Sequence, residues 1–199
     1  MEFKIRPFHP SDLSRVYDIC VQTGDCGRDV TAEYPDPDLF GHFYAAPYAV
    51  LEPDLCFILT GDGMPCGYVI GTRDSEAFSR RLEQEWLPVL RDRYPLPAAD
   101  EDTPAANMIR AIHRGYQSDP EAAAYPAHLH IDVLPCAQGK GNGRKMMDGF
   151  LSRLRELRVP AVHLGVAKKN ASAVEFYKAM GFHVIMEREW GFLMGLRLG

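Results

Sequence analysis

The sequence predicts a mixed α/β fold in which helices flank a central sheet. In the second half of the chain, strand-like and helix-like segments alternate in the order strand, helix, strand, helix, strand. In the first half, residues 55–59 and 67–71 are apolar runs on either side of the turn sequence Gly61-Asp62-Gly63, which is typical of a β-hairpin. The chain has 199 residues, 46% hydrophobic and 25% charged, so we expect a single globular domain over residues 1–199.

The first half begins with a short strand and a helix. Residues 3–6 alternate between apolar and charged side chains, and Pro7 is expected to end this strand. Ser11 or Asp12 is expected to cap a helix that runs to Cys20, because apolar side chains recur there at helical spacing.

The remainder of the first half is less regular. Residues 24–53 are rich in Gly, Pro and Asp, and only one buried helical turn is predicted within them, at residues 39–44. After the hairpin, Ser75 is expected to cap a helix that runs to residue 90. A solvated loop and a further helix near residues 105–115 are expected to follow.

The second half gives clearer patterns. Strands are predicted at residues 129–134, 162–166, 182–186 and 191–198. A helix between the first two strands carries an apolar stripe from Met146 to Leu157. Asn170 is expected to cap a second helix, which ends at Gly181.

Charge and hydropathy exclude several functional classes. The net charge of −5 argues against binding to nucleic acid, which requires a basic face. No apolar run approaches the roughly 18 residues of a membrane span. The charged start, Met-Glu-Phe-Lys, is unlike a signal peptide, so we expect a cytoplasmic protein. The five cysteines form no C-x-x-C pair, which disfavours a zinc ribbon or a thioredoxin-like motif.

The most informative segment for chemistry is residues 138–144, Gln-Gly-Lys-Gly-Asn-Gly-Arg, which lies between a predicted strand and a predicted helix. Glycines at alternate positions let the backbone turn tightly and approach a ligand. Free N–H groups at a helix N-terminus attract an anion such as a pyrophosphate. A plain glycine-rich turn is the alternative. The segment is not a P-loop, because Met146 follows Lys145 where Ser or Thr is required, and it lacks the spacing of a Rossmann fingerprint.

Two motifs carry a family resemblance. The segment from Gln138 to Gly143, Q-x-x-G-x-G, resembles the loop with which the GCN5-related N-acetyltransferase superfamily holds the pyrophosphate of coenzyme A. The segment from Asn170 to Phe182, N-x-x-A-x-x-F-Y-x-x-x-G-F, is similar to the second motif of that superfamily. The order of the two motifs and their separation along the chain also resemble those of the superfamily. The resemblance implies a mixed, mostly antiparallel sheet, flanked by helices and split between its fourth and fifth strands.

Within the superfamily, the sequence is most similar to the acetyltransferase-like domain at the C-terminal end of animal O-GlcNAcases and to its stand-alone bacterial relatives. Residues 17–20, 51–53 and 85–88 carry this finer match. The animal domain lacks the cofactor loop, whereas residues 138–143 are intact here. The resemblance therefore favours a member that binds the cofactor.

The resemblance implies that acetyl-CoA is the cofactor, and it assigns residues to each part of that molecule. Backbone amides of the loop would bind the pyrophosphate, those of Gln138, Gly139, Lys140, Gly141, Asn142, Gly143 and Arg144. Val133 and Leu134 would pair through their backbone with the pantetheine arm, and Asn170 would hydrogen-bond the same arm. Tyr177 would protonate the departing thiolate. The alternatives are a purely capping role for Asn170 and a core position for Tyr177.

His128, His130 and Asp132 alternate along a predicted strand and therefore share one face. An H-x-H pair on a strand can chelate zinc, but no third ligand stands at a suitable spacing, so no metal site is predicted. Asp132 is the preferred general base, because the resemblance places an aspartate on this strand, and the two histidines are the alternatives. Cys136 is expected to be passive, since nothing near it in sequence would activate a thiol.

Together these inferences predict an acetyl-CoA-dependent N-acetyltransferase with Asp132 and Tyr177 as the catalytic pair. The acceptor would be an amine, on a protein lysine or a small molecule, and it would attack directly within a ternary complex. Residues 72–126 are expected to frame the acceptor. The alternative is a catalytically weak pseudo-acetyltransferase that binds coenzyme A or a peptide without turnover.

Overall fold

In the computed structural model, which describes residues 1–199, seven strands form one sheet in the order β1-β2-β3-β4-β5-β7-β6. The strands are β1 (Phe3–Pro7), β2 (Cys56–Gly61), β3 (Met64–Thr72), β4 (Ala127–Val133), β5 (Ala161–Ala167), β6 (His183–Glu187) and β7 (Gly191–Arg197). Every neighbouring pair is antiparallel except β4 and β5, which are parallel. The prediction of a mixed, mostly antiparallel sheet is confirmed.

Helices cover both faces of this sheet. They are α1 (Leu13–Gln22), α2 (Asp38–Tyr44), α3 (Ala46–Leu51), α4 (Ser75–Arg81), α5 (Leu87–Arg93), α6 (Pro104–Arg114), α7 (Asn142–Glu156) and α8 (Ala171–Ala179). None of them is both long enough and apolar enough to cross a membrane.

The parallel pair β4 and β5 is the irregular part of the sheet. The two strands are paired only at Ala127 with Val162 and at His128 with His163. Beyond these positions β4 continues to Val133 on its β3 side alone, so the two strands separate. The predicted split between the fourth and fifth strands is confirmed, and it leaves backbone groups of β4 without a strand partner.

Successive side chains of β4 point to opposite faces of the sheet, and each face has its own hydrophobic core. Leu129 lies in a cluster with Phe150 of α7 and Val174 of α8, on one face of the sheet. The other face is covered by α1 to α6, where Tyr68 and Ile70 of β3 are fully buried. Neighbouring residues of β4 therefore point into different environments.

Two of the predicted helix caps are wrong. Asp12 makes no capping bond to α1; instead its carboxylate accepts hydrogen bonds from Arg6, at 2.6 and 2.7 Å, and from the His9 N–H. Ser75 is already helical, and Asp74 caps α4 by accepting from the Ala77 N–H at 2.9 Å. Asp74 has the extended backbone that a capping residue needs, and this releases the Ser75 side chain for contacts elsewhere.

The first half also holds more helix than predicted. Residues 24–53 contain both α2 and α3 rather than a single turn. The helix predicted from Ser75 to residue 90 is interrupted by a π-helical turn at Leu82–Trp86. Pro88 lies in the first turn of α5 and has no N–H to donate to the preceding turn, which accounts for the interruption.

Candidate active site

The glycine loop between β4 and α7 depends on two glycines for its backbone conformation. Gly139 and Gly141 have φ values of +70° and +74°, in the left-handed region that favours glycine. A β-carbon placed on either residue would have no atom within 4 Å. Glycine is therefore needed at these two positions for the backbone conformation, not because a side chain would collide with its neighbours. The surface of the loop at Gly139 and Gly141 is open.

The backbone amides of this loop are free. The N–H groups of residues 139–144 make no hydrogen bond within the chain, and no side chain caps α7. The Gln138 N–H donates to the Pro135 carbonyl, so the predicted run of free amides begins one residue later, at Gly139. Free amides at the positive end of the 15-residue helix α7 form a site for an anion.

Side chains of the loop are used to hold its shape. They donate to nearby backbone carbonyls and so tie the loop to β4 and α8. The pairs are Gln138 with Val133 (2.7 Å), Lys140 with Cys136 (2.8 Å), Asn142 with Ala137 (2.9 Å) and Arg144 with Ala179 (3.2 Å). An anion would therefore be bound by the backbone of this loop and not by its long side chains.

The two residues that the resemblance assigns to the pantetheine arm, Val133 and Leu134, differ in whether both of their backbone groups are already hydrogen-bonded within the chain. The Leu134 N–H donates to the Cys66 carbonyl, and its own carbonyl accepts from the Ala137 N–H, both at 2.9 Å. Both backbone groups of Leu134 are thus bonded within the chain, and its pairing with the arm stays a prediction. Because backbone groups alternate along a strand, those of Val133 are directed into the gap between β4 and β5.

Asp132 lies on β4 beside this gap and is half-buried. Its Oδ2 accepts a hydrogen bond from the Tyr68 hydroxyl at 2.7 Å. Burial raises the pKa of Asp132 to about 6, although the bond from Tyr68 acts in the opposite direction. This carboxyl group thus titrates close to neutral pH, where a general base is useful.

Tyr177 lies on α8, on the opposite side of the gap. Its ring is buried, but its hydroxyl has no hydrogen-bond partner within the chain and retains contact with solvent. Burial, and secondly the charge on Asp132, raise the pKa of Tyr177 above its ordinary value. Tyr177 therefore keeps its proton at neutral pH and has it free to donate.

Asn170 caps α8, as predicted. Its Oδ1 accepts from the Ala173 N–H and from the Ser172 hydroxyl, each at 3.2 Å. A contact between Asn170 and a pantetheine arm stays a prediction.

The two histidines of β4 differ in how they are held. His128 is buried, with Nε2 bonded to the Tyr48 hydroxyl and Nδ1 bonded to the Ser75 hydroxyl, each at 2.7 Å. His130 is half-buried, and its Nε2 lies 3.2 Å from the same Tyr48 hydroxyl. Burial lowers the pKa of both, that of His130 to about 4. No three side chains of the types that bind metals are grouped to hold an ion.

A small cavity of about 80 Å³ opens beside His130. Two leucines and a set of aromatic rings line it, namely His42, Phe43, Tyr44, Tyr48, Tyr116 and His130. None of the lining residues carries a carboxylate. This pocket was not predicted from the sequence, in which the one indication of it is the cluster of aromatic residues between Phe40 and Tyr48.

Comparisons with known proteins agree with this architecture. The model of the acetyltransferase (GNAT) family matches residues 25–182. Protein O-GlcNAcase of Rattus norvegicus is 27% identical over 190 residues, which are 94% of this chain. The chain spans only about a fifth (21%) of the length of that relative.

Solved structures show the same fold. The crystal structure of SsHAT is 41% identical, has a TM-score of 0.93, and matches over 100% of both chains. The structure of yncA from Salmonella typhimurium, which contains acetyl-CoA, is 15% identical with a TM-score of 0.60, over 100% of this chain and 95% of that one. With its split sheet, its glycine loop and a family match over most of its length, the chain belongs to the acetyltransferase (GNAT) family.

Proposed function

We propose that this protein is an acetyl-CoA-dependent N-acetyltransferase in which an amine attacks the acetyl group directly. The observation that carries the proposal is the run of free N–H groups at residues 139–144, at the N-terminus of α7 and next to the gap between β4 and β5. Family membership supports acetyl transfer as the reaction class. Acetyl-CoA, as bound in the yncA structure, supplies an acetyl group activated as a thioester.

The residues around the gap fit such a cofactor. Amides of residues 139–144 would bind its pyrophosphate, where the dipole of α7 favours negative charge. The Val133 backbone, directed into the gap, would bind the arm and offer an N–H to developing negative charge on the acetyl oxygen. Asn170, at the start of α8, would contact the arm from the other side.

Removal of a proton from the amine is the first chemical demand. An amine with a pKa near 10.4 lies about 3.4 units above neutral pH, which corresponds to about 4.6 kcal/mol for deprotonation. Asp132, with a pKa of about 6, is a stronger base than an ordinary carboxylate. His128 has both ring nitrogens bonded, and His130, with a pKa of about 4, is a weaker base than Asp132. We therefore assign the base to Asp132.

Delivery of a proton to the departing sulfur is the second demand. Tyr177 is protonated at neutral pH and its hydroxyl is not bonded within the chain. A phenol that is still protonated can give its hydrogen to the sulfur as the thiolate departs. Tyr177 is accordingly the proposed acid. No protein nucleophile is required when the amine attacks directly.

The proposal is tested in two steps on the purified chain. Calorimetry first measures acetyl-CoA binding, and thiol release from acetyl-CoA is then followed over a panel of amines and lysine peptides. We expect binding together with amine-dependent thiol release, and mass spectrometry should find the acetyl group on the amine. Binding without acetylation of any amine would contradict the proposal and favour the pseudo-acetyltransferase.

A further inference from the structure

A continuous chain of hydrogen bonds links α4 to the aromatic pocket, through four side chains that we name the hydroxyl–imidazole chain: Ser75, His128, Tyr48 and His130. The Ser75 hydroxyl lies 2.7 Å from His128 Nδ1. His128 Nε2 lies 2.7 Å from the Tyr48 hydroxyl, which is 3.2 Å from His130 Nε2. Each link joins residues on different elements, so the geometry is set by the packing of α3 and α4 against β4.

Counting hydrogens from the bond between Ser75 and Pro126 assigns a direction to every bond in this chain. The Ser75 hydroxyl donates its only hydrogen to the Pro126 carbonyl, at 2.7 Å. His128 Nδ1 must therefore carry the hydrogen that it shares with Ser75. A neutral imidazole has one N–H, so His128 Nε2 accepts, and Tyr48 donates its only hydrogen to it. Tyr48 can then only accept from His130, which places the His130 hydrogen on Nε2.

The remaining nitrogen of His130 is the end of the chain. Nδ1 carries a lone pair, has no partner within the chain and retains contact with solvent. The ring lines the aromatic pocket. On β4, His130 lies two residues before Asp132 on the same face, a separation of roughly 7 Å between Cα atoms. A ligand in the pocket would thus lie against the ring that carries this lone pair.

The chemistry of the pocket indicates what this lone pair would bind. Phe43, Tyr44 and Tyr116 supply apolar ring surface, and no lining residue offers a carboxylate to balance a buried positive charge. An ammonium group would lose its hydration against these rings, whereas an amine that has given up one proton, as the proposed reaction requires, would lose little. A neutral amine also has an N–H to donate to Nδ1.

We propose that Ser75, His128 and Tyr48 are positioning residues that hold His130 as its Nε2–H tautomer, so that Nδ1 accepts a hydrogen bond from a neutral primary amine on an apolar stem. The identification of that amine as the acetyl acceptor rests on the proposed function. With one N–H held by His130, the amine has its own lone pair free for attack and a second N–H free to reach Asp132.

The test reads the tautomers directly, from the ring nitrogen resonances of the histidines in the protein without acetyl-CoA. We expect opposite tautomers in the wild-type protein, Nδ1–H for His128 and Nε2–H for His130. Tyr48→Phe should leave His130 as a mixture of tautomers. The matched control is Tyr116→Phe, because that hydroxyl lies 3.4 Å from His128 Nδ1 and makes no contact with His130 Nε2. An Nδ1–H tautomer at His130, or no change in Tyr48→Phe, would overturn the inference.

Ser75→Ala is a second variant, in case Tyr48→Phe does not fold. It removes the acceptor of the His128 hydrogen, and we expect both histidines to lose their single tautomers. Retention of both tautomers in Ser75→Ala would count against the chain as a positioning device.

Methoxyamine, a small primary amine that is neutral at pH 7, probes the lone pair. Titration should shift the His130 Nδ1 resonance, and its affinity should fall about fivefold in Tyr48→Phe, the loss expected for one hydrogen bond. A shift at His130 without any acetyl transfer in the amine panel would overturn the proposed function and support this inference. If an amine is acetylated but methoxyamine does not shift the His130 Nδ1 resonance, this inference is overturned and the proposed function stands.

Discussion

Tyr68 and Asp132 stand directly opposite each other on β3 and β4, and the Tyr68 hydroxyl donates a 2.7 Å hydrogen bond to the Asp132 carboxylate. The tyrosine is fully buried, whereas the carboxylate lies at the edge of the gap where the sheet divides. A bond to the charged form of a carboxyl group opposes the effect of burial on its pKa. The Tyr68 hydroxyl therefore keeps the pKa of Asp132 near 6 and prevents a larger rise.

Tyr68→Phe is expected to shift the pH dependence of catalysis. A general base is active only when deprotonated, so kcat/KM of the wild-type protein should fall as the pH drops through about 6. Removal of a hydrogen bond to a charged group, about 1.5 kcal/mol, should raise the pKa of Asp132 and move this acidic limb up by about one unit. An acidic limb that stays in place in Tyr68→Phe would show that another group titrates.

The variants Asp132→Asn and Tyr177→Phe are expected to slow the chemical step without weakening the binding of acetyl-CoA. Each removes one proton-transfer group and keeps the shape of its side chain. Each should lower kcat about 100-fold or more, the usual contribution of general acid–base catalysis. Acetyl-CoA affinity, measured by calorimetry, should stay within about twofold. If both variants turn over at the wild-type rate while chemistry limits the rate, the assignment of this pair fails.

Acetyl transfer is expected not to depend on a metal ion. The H-x-H pair on β4 was the only candidate ligand pair that the sequence offered, and both ring nitrogens of His128 are bonded to Ser75 and Tyr48. Dialysis against EDTA should leave the rate of thiol release unchanged. Stoichiometric zinc in protein purified without added metal, lost in His130→Ala, would contradict this expectation.

The second half of the fold could be predicted from sequence because its signals are local. The glycine loop, the apolar stripe of α7 and the Asn170 cap each lie within one element or one turn. The tautomer-setting contacts could not be predicted in this way, since Tyr48 and His128 are 80 residues apart in the chain. Their meeting depends on how α3 packs on the sheet, which no spacing along the sequence encodes.

Contacts between residues distant in the chain also change what single residues do. Leu134 matched its assigned position on the strand, but the strand pairing with Cys66 uses its N–H. Ser75 is a good capping residue by type, yet Asp74 precedes it and has the extended backbone. In each case neighbouring residues compete for one role, and three-dimensional contacts decide between them.

Binding of the acetyl-CoA pyrophosphate by the backbone of residues 139–144 can be tested by one calorimetric comparison. Gly141→Asp places a carboxylate where the phosphates should lie, at a residue with φ of +74° and open space around it. Gly63→Asp is the matched control, because Gly63 has φ of +86°, equally open surroundings and a place in the turn between β2 and β3. We predict that Gly63→Asp binds acetyl-CoA like the wild-type protein, while Gly141→Asp binds about 100-fold more weakly, a difference of about 2.7 kcal/mol. Equal acetyl-CoA affinity in the two folded variants would contradict the claim.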